Sequence, residues 1–172
     1  RTWKRLWSMP LALTIVDEYI AGREVRVGCV EEADGSLTIL PKLEYFLKDI
    51  RTAAHKLAAD NKGKLTQNAI KDAKRDGDRQ CPADLSPQLH ARIDEQVKAA
   101  HRALRCRHYS LFDLRVDESE QPYILEACLF CSFSPLSVIP SMAQHAGRDD
   151  LRHPNFFHSL IERACAEVSV PR

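Results

Sequence analysis

The chain has 172 residues, 25 basic against 24 acidic, a net charge of +1 and 44% hydrophobic residues. This fits one domain or part of a larger one, and the charge balance gives no sign of a nucleic-acid or membrane partner. No run of about 18 apolar residues is long enough to span a bilayer, and no secretory signal pattern opens the chain. The six cysteines are scattered apart from Cys128 and Cys131, and the apolar content can build a core without disulfides. They read as reduced thiols in a cytoplasmic setting. The chain begins at Arg1 without a methionine, so it reads as a piece of a longer protein.

The first ten residues, RTWKRLWSMP, are basic and aromatic. A β-branched run, LALTIVDEYI, leads into a turn at AGRE and then VRVGCV, which alternates as a strand does. Asp34-Gly35 marks a turn before the strand LTIL, and LEYF is a further short strand after Pro41. Residues 47–61 have weak helical spacing and read as a loop with some helix. Residues 60–80 are polar and charged, with Gly63 and Gly77, and read as a mobile surface loop.

The clearest helix begins at Ser86, a good N-cap, with Pro87 at the first helical position, where its missing N–H costs nothing. Leu89, Ile93, Val97, Ala100 and Leu104 recur at three- and four-residue spacing as one buried stripe. HYSLFDLRVD and PYILEAC form a hairpin around a turn at 117–121. SPLSVIPSMAQHAG predicts a short helix with Pro140 near its start and Gly147 as its stop. NFFHSLIERACAEV is the last helix, with Phe157, Leu160, Ile161, Ala164 and Val168 inward. The expected fold class is α+β, an antiparallel sheet flanked by helices.

The hairpin carries two acids among apolar residues. Symmetric closure pairs Asp117 with Pro122, Arg115 with Ile124, Asp113 with Glu126 and Leu111 with Cys128. Alternation then puts those from Leu111 to Arg115 and from Ile124 to Cys128 on one face, and Phe112, Leu114, Val116, Leu125 and Ala127 on an apolar core face. Carboxylates about 4 Å apart repel by about 4 kcal/mol at an effective dielectric of about 20. Arg115 or a lysine bridging the pair, a proton on one carboxyl, or a divalent cation would each resolve this. Mg²⁺ suits such a pair, because it takes one or two carboxylates plus substrate phosphates.

The stretch YSLFDLRVDESEQPYILEA, together with VDEYIAGREVRVG, CPADLSPQLHARIDEQVKAAHRAL and SPLSVIPSMAQHAG, resembles the ATP-grasp superfamily. Within it, the chain is most similar to the D-alanine–D-alanine ligase family, from about Thr14 to Gly147. The resemblance implies the second of two α+β subdomains that enclose ATP. Residues 1–147 would form that subdomain, and 148–172 a C-terminal helix packed on it. It implies ATP and Mg²⁺, with Mn²⁺ as a substitute, as cofactors. Asp113, Glu126 and Cys128 then stand at the metal positions, Asp17, Tyr19, Ile20 and Glu24 along the nucleotide, and Lys56 near phosphate. Ser132 and Ser137 stand where the second substrate's carboxylate is held.

The implied reaction joins a carboxylate to an amine through an acyl phosphate. The resemblance implies amino acids such as D-alanine as substrates and leaves open a homodimer of the full-length protein. The family's pattern carries Asn at Cys128 and Arg at Leu111. A neutral thiol is a poor partner for Mg²⁺, so a nucleotide-binding module without ligase activity is the alternative. This piece alone is expected to be inactive and of low stability.

The pair Cys128 and Cys131 matches C-x-x-C, yet no second pair completes a zinc site and no redox context surrounds it, so both read as partly buried thiols. His55, His101, His145 and His158 read as solvated.

Overall fold

The structure is a computed structural model and describes residues 17–46, 79–128, 134–135 and 137–168. Among these, six strands form one sheet: β1 (Arg23–Glu31), β2 (Leu37–Ile39), β3 (Leu43–Tyr45), β4 (Arg79–Gln80), β5 (Tyr109–Val116) and β6 (Pro122–Cys128). The order is β4-β3-β1-β5-β6, with β2 also paired to β1, and every pairing is antiparallel. The helices are α1 (Pro87–Ala103), α2 (Val138–Ala146) and α3 (Asn155–Val168), with a short 3-10 turn at Asp149–Leu151. The α+β expectation holds.

The long central strands give the sheet two unlike faces. On the first, Val25, Val27 and Cys29 of β1 and Phe112, Leu114 and Val116 of β5 pack under Leu89, Ile93 and Val97 of α1. Each such side chain, fully buried, contributes about 1.5–3 kcal/mol, so this layer is the main core. Ser86 caps α1 as expected, its hydroxyl accepting from the Leu89 N–H at 3.1 Å. On the second face, Val30, Leu43 and Leu111 lie in a separate core with Ile139, Met142 and Ala143 of α2 and Phe156 and Phe157 of α3. This core roofs one end of the face; the other end carries charged side chains. Gly147 ends α2 in the left-handed region, φ +66°. Gly22 sits so close to the end of β5 that a Cβ there would lie 2.0 Å from the Val116 carbonyl oxygen, so only glycine fits.

Several expectations are corrected. The hairpin closes at Val116–Pro122, not Asp117–Pro122, and Arg115 pairs with Tyr123. Asp117 belongs to the turn instead, its carboxylate accepting from the Ser119 and Gln121 N–H groups at 2.9 Å each. The one-residue slip is absorbed by an irregularity beside Asp113, so that Leu114 pairs with Ile124 while Asp113 still pairs with Glu126. Leu125 is the residue left over: it is 55% exposed, whereas Ile124 packs on the main core. The two had been expected the other way round.

In α1 the stripe holds through Ala100, which packs partly buried against the main core, but the helix ends at Ala103; Leu104 is exposed and His101 is buried. In α3, Phe156 is buried beside Phe157, whereas Ile161 and Ala164 are exposed. Arg163 instead turns inward, donating to the Glu31 carbonyl at 2.7 Å, so the inward stripe runs 156, 160, 163. Arg79 and Gln80, expected in the charged loop, form β4 against β3. Residues 1–16 and 47–78, which include Lys56 and His55, and Cys131 and Ser132 lie outside the described residues.

Candidate functional site

The charged end of the second face follows from strand alternation. In β1, Val25 and Val27 point into the main core, so Glu24 and Arg26 point the other way. In β5, Phe112, Leu114 and Val116 are core, so Asp113 and Arg115 share the face of Glu24 and Arg26. The antiparallel register sets Glu24 opposite Arg115 and Arg26 opposite Asp113. Each acid therefore faces a base across the ladder, the favourable cross-strand arrangement.

Asp113 is only 8% exposed, and both of its carboxylate oxygens are held by the Arg26 fork, through Nε and Nη2. This is the bidentate geometry in which a guanidinium binds a carboxylate most strongly. Burial opposes the charge on Arg26, but the bonds to Asp113 and its negative charge outweigh this and raise the Arg26 pKa. Glu126 lies directly across from Asp113 on β6 and is exposed. Ligand atoms of Asp113, Glu126 and Cys128 all lie within 4.8 Å of one another. The Cys128 sulfur is 3.5 Å from Glu126 Oε1. Burial raises the Cys128 pKa, and the Asp113 and Glu126 charges push it further the same way.

The donor set therefore divides. Two adjacent carboxylates fit one hard divalent ion that takes its remaining ligands from water or phosphate. Cys128, kept as a neutral thiol, does not fit such an ion.

Arg115 organises the neighbouring segment. Its Nε donates to the Ile20 carbonyl at 3.0 Å and its Nη2 to the Tyr19 hydroxyl at 3.2 Å, while the guanidinium lies 5.4 Å from the Tyr19 ring centroid. Its Nη1 is 3.7 Å from Glu24. One buried arginine thus gathers Tyr19, Ile20 and Glu24, three of the expected nucleotide residues; Tyr19 and Asp17 are exposed. Ser137 is buried at the N-cap of α2, where its side chain makes no capping bond; its N–H donates to the Ser134 carbonyl at 2.9 Å. It stands on the helix that packs over Leu111, the neighbour of Asp113 two places along β5.

The base on Asp113 is Arg26, not Arg115 or a lysine. Its signal was present in the alternation of REVRVGCV, but using it required knowing that β1 and β5 are neighbours. His101 was also misread: it is buried against Ser110, with 2.7 Å between Nδ1 and the hydroxyl, and burial lowers its pKa.

Residues 12–162 match the family described as D-ala D-ala ligase C-terminus. A D-alanine–D-alanine ligase of Geobacter sulfurreducens is 30% identical over 130 residues, which cover 75% of this chain and 35% of that protein. One from Citrifermentans bemidjiense is 31% identical over 134 residues, 77% of this chain and 37% of that protein. Among solved structures, a D-alanine–D-alanine ligase from Bacillus anthracis complexed with ATP superposes with a TM-score of 0.57 at 20% identity, over 85% of this chain and 39% of that one. At that identity the likeness is one of fold. The chain spans little more than a third of the length of these curated relatives.

Proposed function

This chain belongs to the family of D-alanine–D-alanine ligase C-terminal domains, and we propose that it is the ATP- and Mg²⁺-binding portion of a carboxylate–amine ligase. The observation that carries the reading is the meeting of Asp113 and Glu126 across β5 and β6, with their ligand atoms within 4.8 Å.

In this reading Asp113 and Glu126 hold the divalent ion, Mg²⁺ or Mn²⁺, and Cys128 stays outside its coordination. Bound Mg-ATP supplies the phosphoryl group that activates a carboxylate for attack by an amine, with the metal offsetting charge on the phosphates. Tyr19 offers a ring beside the base, Ile20 and Asp17 flank it, and Glu24 accepts from the ribose hydroxyls. Arg115 is a positioning residue: it fixes the Tyr19 ring, the Ile20 carbonyl and the Glu24 carboxylate relative to β5. Ser137 and Ser132 hold the carboxylate of the second substrate, an amino acid such as D-alanine, and Lys56 approaches phosphate from the segment after β3. The reading carries with it a cytoplasmic location and a homodimer of the longer protein; no helix among the described residues is long and apolar enough to cross a membrane.

A second reading, nucleotide binding without ligase chemistry, is favoured by two observations. Leu111 is 3% exposed, committed to the core under α2, and Cys128 is a neutral thiol beside the acids. Phosphate release by the intact protein that carries this chain, supplied with Mg-ATP and D-alanine, separates the two. Release that depends on D-alanine and is lost in E126Q supports the ligase. Mg-ATP binding without such release supports the binding module, and absence of Mg-ATP binding overturns both.

A further inference from the structure

The guanidinium of Arg26 already occupies Asp113. Its fork takes both carboxylate oxygens, and the two side chains are largely enclosed, 13% and 11% exposed. Glu126 stands exposed on the next strand, directly across from Asp113. A divalent ion arriving alone would thus meet two carboxylates and one fixed cation, a net charge of −1 from Arg26, Asp113 and Glu126, rather than the −2 of an unencumbered pair. It would have to share Asp113 with a guanidinium whose charge repels it. An incoming phosphate changes this balance. It brings negative charge of its own, it ligates the metal, and it offers the guanidinium a second anionic partner of the geometry that arginine binds well.

We propose that Arg26 is a built-in counter-cation that makes divalent-metal binding at Asp113 and Glu126 conditional on the arrival of a phosphate group. This rests on the Mg-nucleotide reading above and adds an order to it: the site takes the metal together with the nucleotide and holds the bare ion weakly. Between visits, Arg26 keeps the nearly buried Asp113 charge paired without metal. An arginine that merely braces β1 against β5 would leave metal affinity unchanged on substitution.

Mn²⁺ titration followed by electron paramagnetic resonance, on the intact protein that carries this chain, tests the order directly. Without nucleotide, R26Q should bind Mn²⁺ at least about tenfold more tightly than wild type, and R26K, which keeps the charge, should stay within about threefold of it. With ADP present, the advantage of R26Q should shrink to less than about threefold, because the phosphates then supply the missing negative charge. R26M replaces R26Q if the amide variant does not fold. Bare-ion affinity in the uncharged variant equal to or below that of wild type overturns the proposal, as does tight bare-ion binding by R26K. The underlying reading fails separately: Mn-ADP affinity indifferent to E126Q would remove the metal from this site whatever Arg26 does.

Discussion

The two faces of β1 and β5 use the same backbone for opposite ends. On one side Val25, Val27, Phe112, Leu114 and Val116 are sealed under α1. On the other, one residue along each strand, Glu24, Arg26, Asp113 and Arg115 form two facing ion pairs. The apolar face gains by excluding water and needs no particular partner. The charged face is tolerated only because each charge has a specific one, and an enclosed ion pair contributes little net stability once desolvation is counted. The first face holds the fold, and the second is what a ligand would find.

The largest expected break in this comparison is on the sealed side. Phe112→Ala removes a fully buried ring from between the sheet and α1 and should lower unfolding free energy by about 3–5 kcal/mol in urea titrations. A loss under about 1 kcal/mol would mean that the face is not close-packed.

A smaller effect comes from pH. His101 is buried against Ser110 and burial lowers its pKa, so the unfolded chain takes up this proton more readily than the folded one. Stability from this group is therefore complete above the unfolded value of about 6.5 and is lost as pH falls through it. The urea midpoint should drop between pH 7.5 and 5.5, and H101Q should flatten that drop. The carboxylates that Arg148 holds, Glu32 and Asp150, have lowered pKa values and contribute their loss only at more acid pH, below about 4. An unchanged slope in H101Q would show that the histidine is not held neutral by the core.

The smallest effects sharpen the boundary between the faces at β6. Leu125→Ser should change stability by less than about 0.5 kcal/mol, because Leu125 already lies in solvent. Ile124→Ser should cost about 1–3 kcal/mol, because Ile124 packs on the main core. The reverse order would mean that the strand runs without its irregularity.

That pair also shows how far the sequence could be read. Alternation placed Asp113, Arg115, Glu126 and Cys128 on one face, because a period of two is imposed by the strand itself. Asp117 was read within the turn but also given Pro122 as a strand partner, because composition does not show a carboxylate folding back onto the Ser119 and Gln121 N–H groups. The slip this introduced was repaired beside Asp113, so the pairing of the acids came out right while that of Arg115 did not. Arg26 was hidden for a different reason: cross-strand partners are set by sheet order, which local patterning does not carry. In α3, apolar spacing suggested an inward Ile161, but the helix turned so that Phe156 reached Tyr109, 5.7 Å between ring centroids, and Arg163 reached Glu31.

Glu126 is exposed, pairs across from Asp113 and belongs to neither core cluster. Calorimetric titration of the intact protein with ATP, in Mg²⁺ and then in a chelator, compares wild type with E126Q. Loss of even an outer partner of a bound metal weakens affinity by roughly 10–100-fold, so E126Q should bind Mg-ATP at least about tenfold more weakly, unfold at the same urea concentration as wild type, and match wild type once Mg²⁺ is removed. Equal Mg-ATP affinity in the two proteins would contradict a metal held between these acids.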